Sequence, residues 1–125
     1  MLGGSEHITA SRLAQIFAKP GGPSDWHVLA EHLATHNGTL QEVDGATVAV
    51  SAVPPALVIH QINRHRRISD RLVEHLKSYA RSQGLALLHW RSPIGNLNLV
   101  HQYLGIGAHL MGNDGSDFIW EMRVG

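Results

Sequence analysis

Three arginines, Arg64, Arg66 and Arg67, stand just before Ser69-Asp70, a pair suited to capping a helix. A helix start presents unpaired backbone N–H groups and partial positive charge, and guanidinium forks add bidentate donors, so this segment has the makings of a phosphate or other anion site. The plainer alternative is a solvated basic loop. Histidine supplies the other reactive groups, ten in all. His60, with Gln61, ends an apolar run that reads as a strand, and His89 lies within the next such run. An imidazole titrating near neutrality suits a general base, although either histidine also fits as a hydrogen-bonded member of a sheet. Tyr103 ends a short amphipathic stretch, a position that places a tyrosine in the core with its hydroxyl at the edge. His32 and His36 share one face of a helical stretch at i, i+4, which is metal-ligand spacing. Two ligands make a poor site, His27 falls on another face and there is no HExxH pattern, so no metal is expected. The absence of cysteine excludes disulfides, thiol nucleophiles and Cys-ligated zinc. No GxSxG elbow points to a serine hydrolase.

These residues are positioned by a regular alternation of elements. Thr9 to Phe17 has helical spacing of Leu13, Ile16 and Phe17, ended by Pro20-Gly21-Gly22-Pro23. Ser24 or Asp25 is placed to cap a second helix through His36, with Trp26, Leu29, Ala30 and Leu33 inward and Asn37-Gly38 as its stop. Thr39–Val43 and Ala46–Val53 flank Asp44-Gly45, a hairpin signal, and Pro54-Pro55 separates them from a third strand at Ala56–Ile62. A long helix from Ser69 or Asp70 to Gln83 buries Leu72, Val73, Leu76, Tyr79 and Ala80 and is closed by Gly84. Leu85–Trp90 reads as a strand, Asn96–Leu104 as a short helix, Gly107–Met111 as a strand, and Phe118 to Val124 as a last strand of alternating character. The order is ααβββαβαββ, an α/β (α+β) domain with a mixed sheet. Its first half reads as an antiparallel meander and its second half as parallel pairing. The three tryptophans, Trp26, Trp90 and Trp120, fall on faces expected to be buried.

At 125 residues the chain fits one domain, expected to span residues 8–125 after a flexible N-terminus at 1–7. Ten Lys and Arg balance ten Asp and Glu, so no global field selects nucleic acid or an anionic membrane. The N-terminal residues lack a secretory pattern and no apolar run reaches membrane-spanning length, which leads to the expectation of a cytoplasmic protein.

The order and several residues resemble the GNAT superfamily of N-acetyltransferases, with the first edge strand missing or vestigial at His7-Ile8. Arg71–Leu85 is similar to the long helix and following strand of the superfamily's first motif. Asn96, Tyr103 and Gly107 resemble its second motif, although Ala108 stands where an aromatic residue is usual. The superfamily's phosphate loop, Arg/Gln-x-x-Gly-x-Gly/Ala, aligns with Arg64-His65-Arg66-Arg67-Ile68-Ser69. Arg67 and Ser69 thus replace both glycines. The resemblance implies acetyl-CoA as the acyl donor, contacted by Ile59, Ile62, Arg64, Arg66, Arg67, Ile68, Ser69, Asp70, Asn96 and Tyr103. It further implies direct transfer to a small-molecule or protein amine, with Tyr103 as acid toward the leaving thiolate. The third strand lacks the Glu or Asp that several members carry there, which leaves His60, beside Gln61 and His89, as the candidate base. A domain that keeps the fold for binding or assembly without catalysis is the alternative. The missing first strand also suggests an exposed sheet edge through which copies of the chain could pair.

Overall fold

The computed structural model describes residues 8–17, 26–62 and 70–125. Thr9 opens α1 (Ala10–Phe17), its hydroxyl accepting the Arg12 N–H at 3.0 Å. α2 (Trp26–Thr35) packs on α1 through Leu13, Phe17, Trp26 and Leu33, with the Phe17 and Trp26 rings stacked at 6.2 Å. The end of α2 divides between two residues what the sequence assigns to glycine alone. Asn37 takes the left-handed conformation, with φ 52°. Gly38 is there for space, because a Cβ on it would lie 2.5 Å from the Leu33 side chain.

β1 (Thr39–Val43) and β2 (Ala46–Val53) form an antiparallel hairpin whose turn residues, Asp44 and Gly45, both have positive φ, at 51° and 79°. That pattern matches the right-handed twist of the strands. β3 (Ala56–Ile62) continues the meander. α3 (Asp70–Ser82) then crosses over and returns the chain to β4 (Leu87–Pro93), which is parallel to β3. α4 (Leu97–Gly105), β5 (His109–Asn113) and β6 (Asp117–Arg123) complete the chain. The six strands form one sheet in the order β1-β2-β3-β4-β6-β5. Element order and mixed sheet match the sequence reading. The expectation of parallel pairing throughout the second half is corrected: only β3 and β4 run parallel, and both β4–β6 and β5–β6 are antiparallel. The cause is the turn after β5, where the Asp114 carboxylate accepts the Ser116 and Asp117 N–H groups at 3.0 and 2.8 Å and folds β6 back between β5 and β4.

Two boundaries also move. The stretch expected as strand from Leu85 begins at Leu87, because the Leu85 N–H closes α3 on the Ala80 carbonyl at 2.9 Å. It runs on to Pro93 because β6 pairs with it along its length. Gly107, expected to open β5, instead closes α4 with φ 90°, while the Ala108 N–H reaches the Tyr103 carbonyl at 3.0 Å.

The sheet separates two cores. On one face α3 and α4 cover Val48, Val50, Leu57, Ile59, Leu88, Trp90, Trp120 and Met122. On the other, α1 and α2 cover Ala49. Trp26, Trp90 and Trp120 are all buried, as their spacing predicts. The edge strands are β1 and β5. Among the described residues no helix is long and apolar enough to cross a membrane.

Candidate functional site

The sheet opens at one place. β3 pairs with β4 only where Ala56–Val58 face Leu87–His89. Both strands continue, β3 to Ile62 and β4 to Pro93. Each is claimed by its other neighbour: β2 holds β3, and β6 holds β4 from Leu87 opposite Arg123 to Pro93 opposite Asp117. A bulge adds to the divergence. Ala49 pairs with Gln61 and Val50 with Ile59, so His60 is the extra residue on β3. The result is a cleft of about 350 Å³, with Val58, Ile59 and His60 on one wall and His89, Trp90 and Arg91 on the other. Past Val58 the backbone of β3 has no ladder partner on the β4 side.

His60 does not stand alone. Its Nε2 lies 2.8 Å from Ser51 Oγ, and the same oxygen lies 3.0 Å from His32 Nε2 on α2. Ser51 is fully buried, one of two buried polar side chains among the described residues. The His32 ring meets the His60 ring edge-on at 4.8 Å and the His36 ring at 4.3 Å. Burial first, then the neighbouring His32 and His36, push the His60 pKa down to about 4. His32 is lowered too, by burial and then by His36. His60 is therefore neutral at neutral pH, with a lone pair available. On the opposite wall, His89 Nε2 lies 2.8 Å from Glu121 Oε1 of β6.

Behind Trp90 stands Tyr103, buried, its ring edge-on to Trp90 and to Trp120 at 5.3 Å each. Burial raises its pKa, so the hydroxyl keeps its proton. The indole N–H of Trp90 is buried and has no hydrogen-bond partner, and the same is true of Gln102 Oε1. Asn96 caps α4, its side chain accepting the Leu99 N–H at 3.2 Å. Ile59 is buried in the main core and Ile62 packs against it. Asp70 is the exposed first residue of α3. Arg64, Arg66, Arg67, Ile68 and Ser69 lie outside the described residues, as do the N-terminal segment 1–7 and the Ser24-Asp25 cap.

The sequence-derived candidates therefore fall into three groups. His60, Ile59 and His89 meet at the cleft, with Tyr103 one ring behind it. Asn96 is a helix cap. His32 and His36, paired by spacing alone, are joined to His60 through Ser51, and among the described residues no three His, Asp or Glu side chains are grouped to hold a metal. Two residues escaped sequence reasoning, Ser51 and Glu121. Ser51 had a signal, as the only hydroxyl in the apolar run Val48–Val53. Glu121 had none, since it alternates outward like any surface strand residue.

No protein-family model matches the chain, and no curated protein matches it by sequence. Solved structures do match. The ribosomal-protein-S18-alanine N-acetyltransferase of Escherichia coli superposes with a TM-score of 0.65 at 12% identity, over 95% of this chain and 92% of that one. A Bacillus subtilis acetyltransferase in complex with CoA superposes with a TM-score of 0.62 at 13% identity, over 94% and 95%. Nourseothricin acetyltransferase superposes with a TM-score of 0.54 at 22% identity over 66% of this chain; the chain spans 61% of that enzyme. The fold is that of the GNAT acetyltransferases.

Proposed function

We propose that the protein is an N-acyltransferase that moves an acetyl group from acetyl-CoA to an amine carried by a small molecule or a protein. The observation that carries this reading is the parting of β3 from β4 beyond Val58 and His89, which leaves a cleft between two strands that are otherwise firmly paired. The free edge of β3 would offer backbone donors and acceptors to the amides of an acyl-pantetheine chain. Arg64, Arg66 and Arg67, just ahead of the α3 N-terminus, would supply the charge for the pyrophosphate. Bound there, acetyl-CoA supplies an activated thioester. The amine nitrogen forms its bond to the carbonyl carbon, the carbon–sulfur bond breaks, and the electron pair leaves on sulfur. A wall histidine takes the surplus proton of the amine. Tyr103, which burial holds protonated one ring behind the Trp90 wall, would donate toward sulfur only where the bound thioester reaches past Trp90. Holding amine and carbonyl in contact supplies much of the rate, because a bimolecular step becomes an intramolecular one.

A GNAT-fold domain without catalysis is the second reading, favoured by Arg67 and Ser69 where the superfamily's loop has glycines. One experiment separates them. At about 100 times its dissociation constant, acetyl-CoA should add roughly 2.7 kcal/mol of stability, seen as a rise of several degrees in Tm. The rise should vanish in Arg67→Glu, and thiol release should then appear with some members of an amine panel. No shift at millimolar acetyl-CoA would end the acyltransferase reading.

A further inference from the structure

Ser51 is the least expected residue of the site. A fully buried hydroxyl in a strand of Val and Ala is retained at a cost unless both it and its partners are satisfied. Its oxygen touches two imidazole nitrogens, His32 Nε2 at 3.0 Å and His60 Nε2 at 2.8 Å. A hydroxyl has one proton to give, so it donates to only one of them and the other must donate to it. The two histidines are therefore locked in complementary tautomers: one holds its proton on Nε2 and the other leaves Nε2 bare. The row runs from the cleft wall at His60, through the interior at Ser51, to half-exposed His32 and the His36 ring tilted against it.

We propose that His60 is the base for the acceptor amine, and that Ser51 and His32 are positioning residues that carry the captured proton out of the cleft through α2. The inference rests on the acyltransferase reading. Before the reaction His60 donates from Nε2 to Ser51, its Nδ1 is bare, and Ser51 donates to Nε2 of His32, whose own proton is on Nδ1. When the amine bonds to the acyl carbon, its surplus proton passes to His60 Nδ1. The Nε2 proton of His60 moves to Ser51 Oγ as the Ser51 proton moves to His32 Nε2. One proton has entered at His60 and one has been added to His32, which releases its Nδ1 proton to water. The row resets once product leaves: His32 regains an Nδ1 proton from water, its Nε2 proton returns to Ser51 as the Ser51 proton returns to His60 Nε2, and His60 loses its Nδ1 proton to water in the emptied cleft.

The exit is needed because His60 holds a proton poorly. Burial and the two neighbouring histidines disfavour its imidazolium form, so a proton left there would return to the intermediate. The titratable and charged groups facing His60 are His32 and His36 from α2 and, across the cleft, His89 and Arg91 from β4. His89 is occupied by Glu121. No comparable row leads away from it among the described residues.

The first test is independent of activity. Nitrogen NMR of the ¹⁵N-histidine-labelled protein at neutral pH should find His32 and His60 in opposite tautomers, and Ser51→Ala should release that lock. Both histidines in the same tautomer would overturn the proposal. The second test compares wild type with Ser51→Ala in acyl transfer. Binding of acetyl-CoA should be unchanged, kcat should fall about tenfold, the acid limb of the kcat profile should move, and the curved solvent-isotope dependence of a two-proton step should become linear. Ser51→Ala at full kcat while wild type binds acetyl-CoA and transfers the acyl group would sink the relay and leave the acyltransferase intact. Failure of wild type to bind acetyl-CoA would instead sink the acyltransferase reading and take the relay with it.

Discussion

Trp120 is fully buried, and its indole N–H has one partner, the Ser92 hydroxyl at 2.9 Å. Ser92 is itself 2% exposed, so no water replaces it. Ser92→Ala leaves a buried donor unpaired, which costs about 1–3 kcal/mol, and thermal unfolding should show a Tm lower by several degrees. An unchanged Tm would mean that the indole finds another acceptor. In Trp90, by contrast, the indole N–H is buried and unpaired. A sequence gives no sign of which indole is satisfied and which is waiting. Both tryptophans read as core and both are core. The difference lies in Ser92, two residues along β4, which stands opposite Phe118 and reaches the Trp120 indole diagonally across the β4–β6 pair. Ser51 is legible to the same limited degree. A hydroxyl in an apolar strand can be noticed, but its two histidine partners come from elements that only the fold brings together.

At the level of elements, periodicity and turn chemistry located every helix and strand that the structure describes, and the misses share one cause. Gly107 and Leu85 read as strand because they are followed by apolar residues, yet each lies in the turn that closes a helix. Local pattern marks an apolar segment but not where helix hydrogen bonding stops and sheet pairing starts, since the latter is set by the neighbouring strand. The cleft is illegible for the same reason: β3 and β4 read as ordinary central strands, and only their competing partners β2 and β6 pull them apart. Asn96 shows how a motif residue can be explained by element physics alone. It caps α4, so Asn96→Ala should cost about 0.5–2 kcal/mol, whereas Asn96→Asp keeps an acceptor at the helix N-terminus and should preserve stability. Denaturant unfolding of the two variants checks this. If Asn96→Asp is as destabilised as Asn96→Ala, capping is not what the side chain contributes.

For the whole molecule, ten histidines on a chain whose Lys and Arg balance its Asp and Glu make its net charge depend on pH. Position decides which of them matter. A histidine that titrates alike in folded and unfolded chains adds nothing to the pH dependence, while one protected from protonation by the fold adds a great deal. His60 is the clearest case, lowered from its ordinary 6.5 to about 4. Above pH 6.5 it is neutral in both states and stability is at its full value. Between pH 6.5 and about 4 the unfolded chain takes up a proton that the folded chain refuses, so stability falls as pH falls, and below about 4 this loss levels off. His32 acts in the same direction. Urea unfolding followed from neutral pH down to pH 4 should therefore show a declining free energy, with a shallower decline in His60→Gln, whose side chain still bonds Ser51 but does not titrate. His101→Gln, at an exposed position on α4, is the control for removing one histidine charge from the total. If the His60 and His101 variants flatten the profile equally, the acid sensitivity comes from accumulated positive charge rather than from the buried row, and the coupling of α2 to the cleft through Ser51 would carry no energetic weight.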